Sequence, residues 1–215
     1  MNEEIRNMLG VEENKPNDWF ETLYAESNKL GNGVPWANMA PHPIFKSWID
    51  KTLPSENEKT ALVVGCGLGD DAIELEAKGY KVTAFDVSES AIALCKKRFP
   101  KSKVDFITAD LLEGISDWSL KFDLVLEIFT IQALPPKYEE LLIKNIASFV
   151  SSNGQLIVIA EVQSEKRRYE IGPPWLLNND YMKSFERNGL KQISHTTNNA
   201  SKRGEEIHLS IFQRS

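Results

Sequence analysis

Glycine occupies three alternate positions, Gly65, Gly67 and Gly69, directly after the apolar run Leu62-Val63-Val64 and directly before the acids Asp70 and Asp71. Glycine enters positive φ without a Cβ penalty, so a ligand can lie against bare main chain in such a turn. The apolar run reads as a buried strand, and the segment from Asp71 to about Lys78 as the helix after it. The first turn of that helix offers unpaired N–H groups and the positive end of its dipole to the ligand. Twenty-one residues after Gly65, the run Lys81–Phe85 ends in Asp86. An acid at the tip of the second strand of an α/β sheet accepts hydrogen bonds from a ribose. Turn and acid together point to a nucleoside-containing ligand.

The spacing narrows the choice of nucleoside. The dinucleotide fingerprint is G-x-G-x-x-G, with a third glycine that permits close helix–strand packing. Here Asp70 stands in that slot and the glycine falls one place earlier, at Gly69. A carboxylate there repels a pyrophosphate and tolerates an ammonium or sulfonium group. A nicotinamide dinucleotide is disfavoured.

Two further strands end in acids. The run Phe106-Ile107-Thr108-Ala109 leads into Asp110, which at the carboxyl edge of a sheet would neighbour Asp86 and the glycine turn. The run Phe122–Leu126 leads into Glu127. That acid could bind a ligand ammonium, accept a proton from a neutral thiol or hydroxyl, or simply be solvated. Upstream, Phe20 and Tyr24 fall four apart on one helix face, followed by the irregular stretch Gly33–Pro43 with Trp36, Met39 and His42. Aromatic faces attract cations, although such a stripe also serves ordinary packing. Trp175, in the Pro-containing segment Ile171–Leu177, lines an acceptor pocket or packs in the core. His42, His195 and His208 show no metal spacing, and no metal is expected. His195 and His208 fall on a terminal hairpin away from the site. Cys66 reads as a small apolar filler.

The elements that position these groups alternate. Strands are predicted at Ala61–Val64, Lys81–Phe85, Val104–Ile107, Phe122–Leu126 and Gln155–Ala160. Helices are predicted near Asp71–Lys78, Ser88–Phe99 and Pro136–Val150, with Ser88 as an N-cap and Pro136 in a first turn. A helix at Asn179–Arg187 and two strands, Lys191–Thr196 and Glu205–Phe212, complete the order. Continuous apolar strands between helices imply a mostly parallel sheet covered on both faces, and the last two runs an antiparallel edge hairpin.

Composition bounds the rest. The 215 residues, 41% hydrophobic, suit one compact domain. A formal net charge of −6 argues against a surface built to track phosphates, so no nucleic-acid partner is expected. The basic run Lys96-Lys97-Arg98 suits a helix C-terminus, and Lys166-Arg167-Arg168 is equally short. No apolar stretch reaches membrane length and the first residues lack a signal-peptide pattern, so a cytoplasmic protein without membrane partners is expected. Two cysteines fit a reducing compartment. A monomer or homodimer is expected.

The pattern Gly65-x-Gly67-x-Gly69 with Asp86 resembles the class I S-adenosylmethionine-dependent methyltransferases. That resemblance implies a Rossmann-like three-layer fold with a seven-stranded, mostly parallel sheet and S-adenosyl-L-methionine as cofactor. It assigns Gly65, Cys66, Gly67, Gly69, Asp86, Val87, Asp110, Leu111, Leu112 and Glu127 to the cofactor, Asp110 as acceptor for the adenine amino group and Leu111 packing on the ring. The Phe20-x-x-x-Tyr24 pair with Val34-Pro35-Trp36 resembles the thiopurine, thiol and halide methyltransferase branch, in which such aromatics close over cofactor and acceptor. Phe20, Tyr24 and Trp36 take those positions, and Trp36, Met39, His42, Phe129 and Trp175 the acceptor pocket. Within the one domain, the resemblance implies a lid over residues 1–50 and a ligand-binding domain over 51–215. Family members carry an acid two residues before the first glycine, where this chain has Val63; Asp70, Asp71 or Glu127 is expected to take over its contact with the cofactor's amino group. The Asn-Pro-Pro-Tyr-like segment of amino-methyltransferases is replaced by Glu127-Ile128-Phe129-Thr130.

The resemblance implies transfer of a methyl group to a small molecule. Positioning alone can supply about 7–11 kcal/mol of such a barrier. A thiolate or halide needs no base, whereas a neutral acceptor needs Glu127, His42 or Tyr24. A protein or RNA acceptor, or a non-catalytic cofactor-binding module, are the alternatives.

Overall fold

The computed structural model describes residues 16–27, 31, 33–52, 59–163, 173–198 and 206–215, which fall into two compact units, 16–110 and 111–215. The runs Lys166–Arg168, Ile171-Gly172 and Asn199–Glu205 lie outside the described residues.

In the first unit, helices α1 (Asp18–Glu26) and α2 (Pro43–Ile49) precede β1 (Thr60–Val64), α3 (Asp70–Ala77), β2 (Lys81–Asp86), α4 (Glu89–Arg98) and β3 (Asp105–Thr108). Strand β2 pairs in parallel with β1, Val64 opposite Phe85, and with β3, Asp86 opposite Thr108. Ala61 to Val64 are all buried, which a strand needs when both of its faces are covered. Ser88 caps α4 as expected, its Oγ accepting the Ala91 N–H at 3.0 Å.

The second unit holds β4 (Phe122–Ile128), α5 (Glu139–Phe149), β5 (Val150–Val162), α6 (Asp180–Arg187), β6 (Leu190–Asn198) and β7 (Glu206–Arg214). Strand β5 runs parallel to β4 and antiparallel to β7, which is itself antiparallel to β6. The seven strands follow the order β3-β2-β1-β4-β5-β7-β6, so the expected antiparallel hairpin closes the sheet's edge. Two expectations shift. Strand β5 begins at Val150, directly after α5, five residues before the apolar run that signals it. Pro136 opens a tighter turn, Pro136–Tyr138, because Tyr138 donates to the Pro135 carbonyl three residues back before α5 starts at Glu139.

Arg98 does more than answer a helix dipole. Its guanidinium donates to both oxygens of Asp70 at 2.8 Å and to the Leu68 carbonyl, tying the end of α4 to the start of α3. The two side chains are only 8% and 16% exposed. Arg98→Met would leave the Asp70 carboxylate largely buried and unpaired, at an expected cost of about 2–3 kcal/mol. Urea unfolding checks this, and a loss under about 0.5 kcal/mol would rank the pair with ordinary surface ion pairs.

Candidate cofactor site

All three glycines of the turn adopt positive φ: 58° at Gly65, 54° at Gly67 and 84° at Gly69. Two of them serve different ends. A Cβ on Gly69 would sit 3.0 Å from both the Cys95 sulfur and the Phe106 ring, so this glycine lets α3 start hard against α4 and β3. At Gly67 the one atom of the described residues within 4 Å of an added Cβ is the Tyr24 hydroxyl, at 3.0 Å. The turn is fixed from beneath, with Cys66 N–H donating to the Phe85 carbonyl at 2.8 Å and the Cys95 thiol donating to the Gly67 carbonyl at 3.1 Å.

Asp86, at the tip of β2, is 6% exposed. Its Oδ2 accepts the Gly67 N–H at 2.9 Å and its Oδ1 the Ser88 N–H at 3.0 Å. Burial pushes its pKa up, and these main-chain N–H groups pull against that. Two donors hold the carboxylate in one orientation while each oxygen keeps a further lone pair. The half-buried Val87 follows it.

Helix α1 lies across this edge. Asn17, immediately before it, donates from Nδ2 to Asp110 Oδ2 at 2.8 Å, beyond the end of β3. Glu21 takes the Ser88 hydroxyl at 2.6 Å, the Ser90 hydroxyl at 2.5 Å and the Ser90 N–H at 3.1 Å, all just after β2. Tyr24 reaches the turn after β1 and accepts the Trp36 indole N–H at 3.1 Å. Phe20 stacks on the buried Trp19 at 3.9 Å and meets Trp36 edge-on at 6.3 Å. Trp36 is 42% exposed, whereas Met39 packs against the cluster of Tyr24, Val34, Leu68 and Ala91. His42 donates its main-chain N–H to Asp71 at 2.8 Å.

In the second unit, Glu127 is fully buried rather than a solvated acid at a strand tip. Its Oε1 accepts the N–H groups of Thr130 at 2.7 Å and Ile131 at 3.0 Å, closing the turn after β4. Its Oε2 has no hydrogen-bond partner among the described residues. Burial raises this carboxyl to about 7. Phe129 adopts a left-handed φ of 58°, a conformation that costs a bulky residue about 1–3 kcal/mol. Trp175 is buried, and its main-chain N–H donates to the Gln132 carbonyl at 2.7 Å. Leu111 is buried and Leu112 half-buried, with the Leu111 carbonyl held by Asn145 at 2.7 Å.

Residues 61–154 match the model of the methyltransferase domain family. A carboxy-S-adenosyl-L-methionine synthase of Shewanella sp. is 30% identical over 199 residues, 80% of this chain and 78% of that protein. The chain belongs to the class I S-adenosylmethionine-dependent methyltransferases. A probable thiol methyltransferase of Arabidopsis thaliana is 25% identical over 84% of this methyltransferase and 82% of its own length. The N-methyltransferase NodS of Bradyrhizobium japonicum, solved with S-adenosyl-L-homocysteine, superposes with a TM-score of 0.70 over 90% of this chain and 98% of its own, at 19% identity.

The methyltransferase uses S-adenosylmethionine, and its residues fit that group. Bare main chain at Gly67 and an oriented carboxylate at Asp86 are what a ribose needs beside the turn. Three expectations change. Asp70 is bound by Arg98, which removes it as partner for the cofactor's amino group. Tyr24 cannot accept a proton near neutral pH, because burial and then the Asp86 charge push its phenol well above 10. Burial lowers His42 to about 4, leaving it a neutral but weak base. Sequence reasoning missed Asn17 and Glu21. Their spacing with Tyr24, i, i+4 and i+7, is the one signal the sequence offers for a shared helix face.

Proposed function

We propose that this methyltransferase acts on a small soft nucleophile, a thiolate or halide-like anion, that binds beneath the aromatic segment of α1 and Trp36. One observation carries the reading: Tyr24, which α1 brings against the glycine turn, and Trp36, hydrogen-bonded to it, are aromatic and uncharged. Tyr24 stays a neutral phenol and His42 a neutral imidazole at pH 7. Bound S-adenosylmethionine supplies an activated methyl group on a sulfonium. Aromatic faces favour such a cation by about 0.5–2 kcal/mol per contact. An acceptor that arrives as an anion loses no proton there, so these residues need only hold it and exclude water. The likeness to a probable thiol methyltransferase, which spans most of both chains, supports the same choice.

Neutral acceptors would need a base, and for them we assign Glu127, whose pKa near 7 suits proton transfer at neutral pH. The test is a panel of thiols, halides, thiopurines, amines and hydroxyl compounds with methyl-labelled cofactor, scored by labelled product. Thiols or halides are expected to lead the panel. Label appearing only in protein or RNA would contradict the reading.

A further inference from the structure

We infer that Asn17 is a specificity residue for the cofactor's base: its side-chain amide fixes the Asp110 carboxylate for the adenine amino group, so that discrimination of this base depends on α1 being seated. The inference rests on the reading that Asp110 accepts that amino group.

Asn17 stands at the N-cap position of α1, where an asparagine side chain ordinarily accepts a main-chain N–H of the first turn. Its side chain makes no such bond. The main-chain carbonyl serves the helix, accepting the Phe20 N–H at 3.1 Å. The side chain instead spans 93 positions to donate from Nδ2 to Asp110 Oδ2 at 2.8 Å. A carboxylate turns easily about its last torsion, and one N–H donor fixes its plane. Such a group offers about four acceptor positions, so the Asn17 bond leaves room for an adenine donor. The amide is neutral, so it orients Asp110 without bringing a positive charge that would weaken it as an acceptor.

Asn17 is carried to Asp110 by α1, and Glu21 pins that helix. Glu21 stands four residues on, on the same helix face. Its carboxylate accepts hydrogen bonds from the Ser88 hydroxyl, the Ser90 hydroxyl and the Ser90 N–H at 2.5–3.1 Å. With the helix fixed after β2, its first residue is set beyond the end of β3. None of Glu21's partners is a group assigned to the cofactor. Glu21→Ala therefore loosens α1 and leaves Asp86 and Asp110 unaltered.

Calorimetry on the wild type and the Asn17→Ala and Glu21→Ala variants compares S-adenosylhomocysteine with S-inosylhomocysteine, which carries a carbonyl oxygen in place of the amino group. The wild type is expected to prefer the adenosyl ligand by about tenfold or more, the effect of one hydrogen bond to a charged group. Each variant is expected to lose about fivefold of that preference, through weaker binding of the adenosyl ligand. The ratio of the two affinities is the readout, because a merely structural role would weaken both ligands alike. A preference kept within about twofold of wild type in either variant would overturn the inference alone. Equal binding of the two ligands by the wild type, or no binding of either, would overturn the assignment of Asp110 and this inference with it.

Discussion

Replacing Asp86 by alanine is expected to weaken S-adenosylhomocysteine binding by about a hundredfold or more, the effect of removing two charge-assisted hydrogen bonds to a ribose. The same change costs stability. Gly67 and Ser88 donate to this carboxylate in a buried setting, and both N–H groups would be left without an acceptor. Each such orphan costs about 1–3 kcal/mol. Asp86→Asn separates the two effects, because its carbonyl oxygen can satisfy one N–H while its amide group opposes the other. The asparagine variant should fold with a smaller loss of stability and still bind at least tenfold more weakly, given the two charge-assisted bonds it loses. Calorimetry on the asparagine protein, with a thermal melt to confirm folding, is the check. Affinity within threefold of wild type would take Asp86 out of the site.

The second large effect concerns Glu127. Its folded-state pKa of about 7 lies above the ordinary carboxyl value of 4.5, so the folded protein holds this proton more tightly than the unfolded chain. Below pH 4.5 both states are protonated and the group is neutral toward stability. As pH rises from 4.5 to 7 the unfolded chain ionises first, and the fold loses about 3 kcal/mol, a loss complete above pH 7. Glu127→Gln keeps an acceptor for Thr130 and Ile131 and has no charge to bury. It should be more stable than wild type by about 3 kcal/mol at pH 8 and nearly equal at pH 4.5. Urea unfolding across that range reads the difference directly. Turnover gives an independent readout: with a neutral acceptor it should rise with pH about a midpoint near 7 and be lost in the glutamine variant. With a thiolate or halide acceptor the two proteins should differ little. An unchanged pH profile with neutral acceptors would leave Glu127 a structural clamp for the turn after β4.

What the chain reveals before folding divides along the range of the interactions. The Gly65-Gly67-Gly69 turn, the acid at Asp86, the Ser88 cap and the terminal hairpin are local patterns, each set by residues a few places apart. They stand where expected. The Arg98–Asp70 pair spans 28 positions and the Asn17–Asp110 bond 93, and no periodicity announces either. Lys96-Lys97-Arg98 reads only as cations suited to a helix C-terminus because nothing local shows that its last member turns inward to Asp70. Glu127 is legible only in part. An acid after Phe122–Leu126 reads as a ligand or proton acceptor or as a solvated strand tip, and nothing local shows that Thr130 and Ile131 fold back over one of its oxygens in a buried setting. The start of β5 at Val150 was hidden because Val150-Ser151-Ser152-Asn153-Gly154 reads as a polar loop. Tyr24 and Trp36 were legible as an aromatic pair, but their mutual hydrogen bond and the seat on Gly67 depend on the path of the chain between them.

The most direct measurement follows the backbone amide resonances of Gly65, Gly67 and Gly69 while S-adenosylhomocysteine is added to the whole protein. Saturable shifts centred on Gly67 are expected, with at least about tenfold more ligand needed to reach them in the Asp86→Asn protein. Heat of binding with these three amides unmoved, or no interaction at any concentration, would contradict a nucleoside site on the open glycine turn.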